Sequence, residues 1–275
     1  MDLTVMSFNL RFWNKKDEYD WPRRLPGVVA AVQASQPAVI GTQECLHEML
    51  LDLLNGLPGY TFIGEGREGG EKGEYSAILY RTDLLKLRYQ GQFWLSDHPE
   101  IPSSNSWMAD WPRICTWGWF QPIGEVGPEF LVYNTHLDNG SQKAREKGVR
   151  MIWDVMARRR ELSGLPGLLM GDLNAEPHNP VVGFLRGAAE LEGEIATLND
   201  LYQLNGGEEA VGPTYHDGPG FCSGDSEEAR RPRLIDYIFA TTDVTSLSVE
   251  VDRRRFGDLD PSDHYPVVGR VRLPD

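Results

Sequence analysis

Polar residues able to do chemistry recur in this chain where short apolar runs stop. Asn9 follows the run 5–8, Glu44 follows 40–43, and His136 and Asp138 follow 131–135. Asp172 and Asn174 follow 168–171, Asp236 sits inside 234–239, and Asp263 and His264 stand just before 265–268. Taken singly, an acid in such a place reads as a helix cap or turn residue. Taken together, the set has a chemical logic. Glu44, Asp138, Asp172, Asp236 and Asp263 are hard oxygen ligands or acid–base groups, and without cysteine ligands they favour Mg2+ or Mn2+ over a structural zinc ion. Asn9 and Asn174 can hold an attacking water or a phosphate oxygen, and protonated His136 and His264 would face a phosphoryl group. Carboxylates for a cation, amides for water and imidazoles for anionic oxygens are what phosphoester hydrolysis needs.

Such residues need strands that end side by side. Residues 3–8 read as a strand, and residues 21–34 space Leu25, Val28, Val29 and Val32 at helical intervals before Gln36-Pro37 stops the helix. A strand at 38–41 and an amphipathic helix at 46–54, with Gly56 as its C-terminal glycine, repeat the unit. The middle changes character: 75–80, 84–94, 114–121 and 129–133 read as strands between loops rich in Gly, Pro and Ser, which predicts antiparallel pairing. A long charged helix over 141–161 carries Ile152, Val155 and Met156 on one face, and 167–170 is again a buried type of strand. Strands at 234–239, 244–251 and 267–273 close the chain, while 206–233 reads as a long polar loop. No linker or repeat divides this order, so residues 1–275 read as one α/β domain with mixed sheets.

Composition bounds the partners. The 275 residues carry 41 acidic and 27 basic side chains, a net charge of −14, which excludes a broad basic face of the kind that neutralises many nucleic-acid phosphates. At 40% hydrophobic and 25% charged residues the composition is that of a soluble globular protein. A chain of this length buries roughly 75% of its unfolded surface, so its stability needs no covalent staples. Cys45, Cys115 and Cys222 are odd in number and lack CxxC spacing, so neither a disulfide framework nor a zinc ribbon is expected, and a reducing, cytoplasmic setting fits. No apolar run approaches the roughly 18 residues of a membrane span, no secretory signal opens the sequence, and nothing calls for an obligate protein partner.

Ser7-Phe8-Asn9, Gly41-Thr42-Gln43-Glu44, Asn134-Thr135-His136-Leu137, Gly171-Asp172-Leu173-Asn174, Ile235-Asp236-Tyr237-Ile238 and Ser262-Asp263-His264 come in the order of a known motif series. The series resembles that of the endonuclease/exonuclease/phosphatase superfamily, which includes deoxyribonuclease I and exonuclease III. The resemblance implies a four-layer α/β sandwich, with two mixed, mostly antiparallel β-sheets flanked by helices, and divalent-metal-dependent phosphoester hydrolysis. It further implies Glu44 as the principal ligand of Mg2+ or Mn2+, Asp263 at or near the metal, and Asn9 orienting that shell. Asp172 and Asn174 would position or deprotonate the water. His264, oriented by Asp236, would bind or protonate phosphate oxygens. His136 is similar to a second histidine of the nuclease and phosphodiesterase branches, and Glu74 would pair with it. One position departs from the pattern: some DNA-repair members carry an acidic metal ligand where this chain has Arg11, so the metal shell rests on Glu44 or recruits Asp138. Asn9-Leu10-Arg11, Trp21-Pro22-Arg23 and Thr135-His136-Leu137-Asp138, with Arg145 beyond, look most like a bacterial branch related to carbon-catabolite-repressor-type nucleases.

The substrate is expected to be a phosphoester: a small phosphodiester first, a small phosphomonoester such as a nucleotide, sugar phosphate or lipid head group, or a DNA or RNA cut by endonuclease or 3′–5′ exonuclease action. The acidity favours the small substrate. Arg113 and Arg145 are the expected phosphate clamps. Trp107 and Trp111, like the segment 93–96, place aromatic rings beside polar residues where a base could stack, and Trp107 is the one expected at the substrate, although each tryptophan reads first as a core or loop anchor. The basic clusters 158–160, 230–233 and 253–255 read as solvated surface, and His47, His98, His178 and His216 as surface or loop residues. A catalytically silent binding module on the same fold would show degraded motifs, and none of the six is degraded.

Overall fold

A computed structural model describes residues 1–124, 127–218, 221, 227–255, 257 and 259–274. In chain order the elements are β1 (Asp2–Asn9), α1 (Trp21–Ser35), β2 (Val39–Gln43), α2 (His47–Gly56), β3 (Tyr60–Ile63), β4 (Ile78–Arg81), β5 (Leu85–Trp94), β6 (Ile114–Pro122) and β7 (Phe130–His136). They continue as α3 (Gln142–Ser163), β8 (Gly167–Asp172), α4 (Pro180–Leu185), β9 (Leu198–Asp200), α5 (Leu201–Leu204), α6 (Glu208–Val211), α7 (Glu227–Arg230), β10 (Asp236–Thr241), β11 (Thr245–Val251) and β12 (Val267–Arg272).

The strands form two six-stranded sheets, ordered β11-β12-β1-β2-β4-β3 and β5-β6-β7-β8-β10-β9. Each sheet contains one parallel pair at its centre, β1 with β2 and β7 with β8, and the remaining pairs are antiparallel. A parallel pair needs a long crossover, and α1 and α3 supply it. The side-chain period of two then fixes the layers. In β1, Val5 points into the core between the sheets, while Met6 and Phe8 pack under α1 and α2 against Trp21, Val28 and Leu50. On the other side Val149, Ile152 and Met156 of α3 and Phe184 of α4 cover the second sheet. Helices, sheet, sheet and helices make a four-layer α/β sandwich.

Both central strands of a parallel pair end at the same edge, and this is what gathers the site. Asn9 pairs in register with Gln43, and His136 with Asp172. The antiparallel β10 begins at that edge, with Asp236 opposite Asp172, and β12 begins beside it, with Val267 opposite Ser7. A polar bridge pins the two sheets there: Gln43 Nε2 donates to Asn134 Oδ1 at 2.7 Å, and Asn134 Nδ2 donates to the carbonyls of Thr42 and Ala77 at 2.9 Å each. Gly41 is required at this contact, because a Cβ would lie 2.6 Å from Asn134 Oδ1.

Several details differ from the sequence expectation. Gly56 is the last residue of α2 rather than a left-handed cap, and its small size serves packing, since a Cβ would lie 2.7 Å from a methyl of Val29. The strand expected from Tyr75 starts at Ile78, and Tyr75 makes only an isolated bridge to Cys45. β3, β9 and α4 were not expected; with 4, 3 and 6 residues they are too short to show a period. The polar stretch 206–233 contains the short α6 and α7. Cys45 and Cys115 are buried free thiols, and Cys222 lies outside the described residues. Among the described residues no helix is long and apolar enough to cross a membrane.

Candidate active site

Asn9 is fully buried at the end of β1, and its amide joins the two sheets' carboxylates. Its Nδ2 donates to Glu44 Oε1 and to Asp172 Oδ2, both at 3.0 Å, while its Oδ1 accepts from the Arg11 amide at 2.9 Å. Glu44 is fixed from its other oxygen by the Phe12 amide at 3.0 Å. Asp172 Oδ1 accepts from the Asn174 amide at 2.8 Å. Arg11, Glu44 and Asn174 all have positive φ, 51°, 62° and 46°, so the chain leaves three strand ends in a conformation that costs non-glycine residues energy. Gly171 sets the depth of Asp172: at φ 153° it brings its backbone against β7, where a Cβ would lie 2.1 Å from the Thr135 carbonyl oxygen.

His264 is held for one protonation state. Its Nδ1 donates to Asp236 Oδ2 at 2.8 Å, and Thr214 Oγ1 donates to the same oxygen at 2.6 Å. Thr214 in turn accepts from the amides of Ile235 and Asp236 at 3.1 Å. Burial works against a charged ring, but Asp236, Asp172 and Asp263 outweigh it and push the His264 pKa up to about 10. His136 is in the opposite state. Burial first, then the nearby Arg113, Arg67 and His264, hold its pKa well below 6.5. Asn174 Nδ2 lies 3.0 Å from His136 Nε2, which makes that nitrogen the acceptor and places the proton on Nδ1. Both rings approach Asp172 Oδ2 through Nε2, His136 at 3.5 Å and His264 at 3.8 Å. Burial and then Asp236 raise the Asp172 pKa to about 7, against the lowering effect of His264.

Glu44, His136 and Asp172 each offer a ligand atom within 4.8 Å of the others, and so do Asp172, Asp236 and His264. The first set fits a divalent cation best. Glu44 is the half-buried member that opens on the cleft, His136 Nε2 holds a lone pair that a cation would take over from the Asn174 amide, and two carboxylates with one imidazole suit a hard or borderline ion. In the second set His264 Nδ1 is already committed to Asp236.

Asp263 has a protein cation as its partner. Arg11 Nη1 donates to Asp263 Oδ2 at 2.6 Å, while its Nε and Nη2 donate to Asp17 at 2.7 and 2.9 Å. Burial opposes the charge on Asp263, but His264 and Arg11 hold its pKa below the ordinary value. Arg24 sews the two loops together from α1: it is 1% exposed and donates to the carbonyls of Leu10 and Pro261 from Nη1 and of Arg11 from Nη2. Neither Asp17 nor Arg24 was expected from the sequence. The signal for Arg24 was its position four residues before Val28 on the apolar face of α1.

Glu44, His136, Asp172, Asn174, Asp263 and His264 line a cleft of about 570 Å3 together with Arg113, Arg145, Arg67, Arg233, Trp111, Glu176 and His178, while Asn9 and Asp236 lie buried behind it. Of the expected substrate residues, Arg113 and Arg145 reach it. Arg113 is braced by Asp138 and Asn139, and Arg145 by Gln142 and the carbonyls of residues 138 and 139. Glu74 also lines the cleft, but it pairs with Arg67 at 3.0 and 2.8 Å rather than with His136. Asp138 is not recruited to either ligand grouping. Its oxygens accept from the amides of Asp110, Gly140 and Ser141 and from Arg113, so it anchors the loop that follows β7. Trp107 lies outside the cleft because its indole N–H turns to Asp97 at 2.9 Å, and Trp111 takes the exposed aromatic position instead. His178 lines the cleft. His216, stacked on Tyr265 at 4.1 Å and bonded to the Ser262 carbonyl, supports the strand end that bears Asp263 and His264. The basic clusters are braced internally: Arg160 pairs with Asp243, Arg231 with Glu176, Arg254 with Asp252 and Arg255 with Asp260.

A four-layer sandwich with acid, base and cation-binding groups gathered at one edge of both sheets is the architecture of a phosphoester hydrolase. The chain belongs to the Endonuclease/Exonuclease/phosphatase family, whose sequence profile matches residues 6–264. Among solved structures it is similar to a mannosyl-6-phosphatase of Bacteroides thetaiotaomicron, 32% identical with a TM-score of 0.85 over 98% of this chain and 100% of that one. A family protein of Bacteroides vulgatus is 28% identical with a TM-score of 0.85, covering 99% of both chains. A conserved Enterococcus faecalis protein of unknown function is 26% identical with a TM-score of 0.82 over 98% of this chain and 100% of that one. No curated protein sequence matches the chain.

Proposed function

We propose that this hydrolase acts on a small phosphomonoester with Mg2+ or Mn2+, by in-line attack of water on phosphorus. The observation that carries this reading is Asp172, a buried carboxylate touched by Asn9 and approached by both imidazoles, whose pKa of about 7 suits a base working near neutrality. Asp172 takes the proton of the attacking water while the backbone amide of Asn174 holds its Oδ1. The imidazolium of His264 donates from Nε2 to a phosphoryl oxygen and offsets the charge that grows there. As the oxygen of water bonds to phosphorus, the bond from phosphorus to the ester oxygen breaks and the alcohol leaves, taking up a proton from solvent, to which Asp172 releases the one it gained. Glu44 and His136 would hold the cation, leaving Asp172 as the base, and the cation supplies a Lewis acid for the phosphate and a lowered pKa for water.

Three features support a small monoester over the phosphodiester or polynucleotide considered from the sequence. A dianionic phosphate suits a cleft lined by Arg67, Arg113, Arg145 and Arg233. The 32% identical relative is described as a phosphatase of a phosphosugar. Outside the cleft, Arg160, Arg254 and Arg255 are tied to acids and Arg253 to the carbonyls of Val211 and Pro213, which reduces the positive charge offered to a polymer. We further infer that residues 1–275 act as one unit, since Asn9 and Glu44 of one sheet contact or face Asp172 and His136 of the other. Two buried free thiols support the cytoplasmic setting expected above. A silent binding module would have no use for an imidazolium and a base side by side.

The test is hydrolysis of p-nitrophenyl phosphate and bis-p-nitrophenyl phosphate with Mg2+ or Mn2+. Activity should vanish in EDTA and in Glu44→Ala and be greater on the monoester. Wild-type turnover that survives EDTA, together with full activity of Glu44→Ala, would refute the metal-dependent reading, and a preference for the diester would refute the monoester.

A further inference from the structure

The phosphoryl group is placed by Glu44, Asp172 and His264, so the leaving alcohol must occupy the rest of the cleft. Of the aromatic rings that line it, Phe12 is 38% exposed and bound by its backbone amide to Glu44, and Trp111 is the more exposed. Trp111 is 54% exposed, although Trp94 in the same region is buried with its N–H on the Arg67 carbonyl. Its backbone is clamped on both sides. The amide of Asp110 donates to Asp138 Oδ2 at 3.2 Å, and the carbonyl of Arg113, two residues on, accepts from Leu95 at 2.7 Å. The indole is backed by the Arg67 guanidinium, 5.1 Å from the ring centre, and Arg67 is itself held by the two bonds it donates to Glu74. The ring therefore has a fixed cation over it and lines the cleft.

A rigid, exposed indole face offers contact area with little entropy to lose on binding. Its surroundings select what covers it. Glu176 is fixed by Arg231 at 3.1 and 2.5 Å, and Arg231 first among its neighbours keeps it ionised, so it presents an acceptor to hydroxyl groups. Asn139, tied to Arg113 at 2.9 Å, adds an amide to the lining of the cleft. An apolar ring face flanked by several hydroxyls matches this arrangement. About 570 Å3 lies within the range of small-molecule sites and has room for a phosphate and a sugar ring.

We propose that Trp111 is the leaving-group platform of the cleft and that the alcohol it recognises is a hexose-type sugar ring, a specificity that rests on the phosphoester reading above. Trp111 determines affinity for the ring and takes no part in the chemical step.

The experiment compares wild type, Trp111→Ala and Trp111→Phe on mannose 6-phosphate, glycerol 3-phosphate and 5′-AMP. Turnover is measured with Mn2+, and binding is measured by isothermal titration in an Asp172→Asn background, where turnover is off. Trp111→Ala should raise KM and Kd for mannose 6-phosphate about tenfold, with kcat within about twofold and glycerol 3-phosphate unaffected, as expected for loss of one stacked ring. Trp111→Phe should restore most of the affinity. A change of less than twofold for mannose 6-phosphate, an equal loss for glycerol 3-phosphate, or a response confined to 5′-AMP would overturn the proposal. Trp111-dependent binding of mannose 6-phosphate by a protein that hydrolyses no phosphoester would uphold the platform and overturn the hydrolytic reading.

Discussion

Replacing Asp236 by Asn tests whether the site depends on a permanent imidazolium. Asp236 Oδ2 accepts from His264 Nδ1 at 2.8 Å, and its charge does most to overcome the burial that disfavours protonation of the ring. Asparagine keeps the shape and removes the charge. Burial and the remaining Asp172 and Asp263 then oppose one another, so the ordinary value of about 6.5 is the working figure for the variant. With a pKa of about 10, His264 is about 99% protonated at pH 8; at 6.5 it would be about 3% protonated, a loss of about 30-fold in the active form. At pH 6 the same calculation leaves about three quarters of it, so the defect should nearly close. The assay is the pH profile of kcat/KM from pH 6 to 9, with a 15N-edited NMR titration of the metal-free protein reporting the ring directly. Stability should follow with a defined sign. A folded pKa raised above 6.5 contributes stability that is complete below pH 6.5 and is lost as pH rises through about 10, so the variant's deficit in Tm should be largest at low pH. A wild-type His264 that titrates near 6.5, or an activity defect of equal size at pH 6 and pH 8, would refute the reasoning.

Glu44→Gln should weaken Mn2+ binding by about 10- to 100-fold in isothermal titration, because the half-buried carboxylate that opens on the cleft loses its charge; an unchanged Kd would exclude Glu44 as a ligand. Arg24→Met should leave the carbonyls of Leu10, Arg11 and Pro261 without their donor, costing about 1–3 kcal/mol per stranded group and lowering Tm by several degrees in calorimetry. Gly171→Ala meets backbone rather than a flexible side chain, the Thr135 carbonyl oxygen at 2.1 Å, so Asp172 must move. Activity should fall by about 100-fold, a loss typical of a displacement of about 1 Å, while circular dichroism still shows the sandwich.

The order of chemistry at strand ends was legible because strand ends are local: an apolar run that stops at an acid or amide is visible without knowing what lies beside it. Asn9, Glu44, Asp172, Asp236 and His264 could therefore be named from types and spacing, and the crossover helices α1 and α3 from their periodicity. Pairings between distant segments have no such signal. Arg11 and Asp263 are 252 residues apart, and Asp236 and Thr214 meet only because a loop returns to the start of β10. For the same reason Glu74 was matched with His136 when the fold gives it Arg67, and Trp107 was chosen over Trp111 although a loop's path decides which indole faces the cleft. The sequence by itself determined which residue types the chain could bring to a phosphoester and the β–α–β order that carries them. Only the tertiary structure decided their states: His264 is charged, His136 neutral and Asp172 poised near 7, because burial and partner charge act through space.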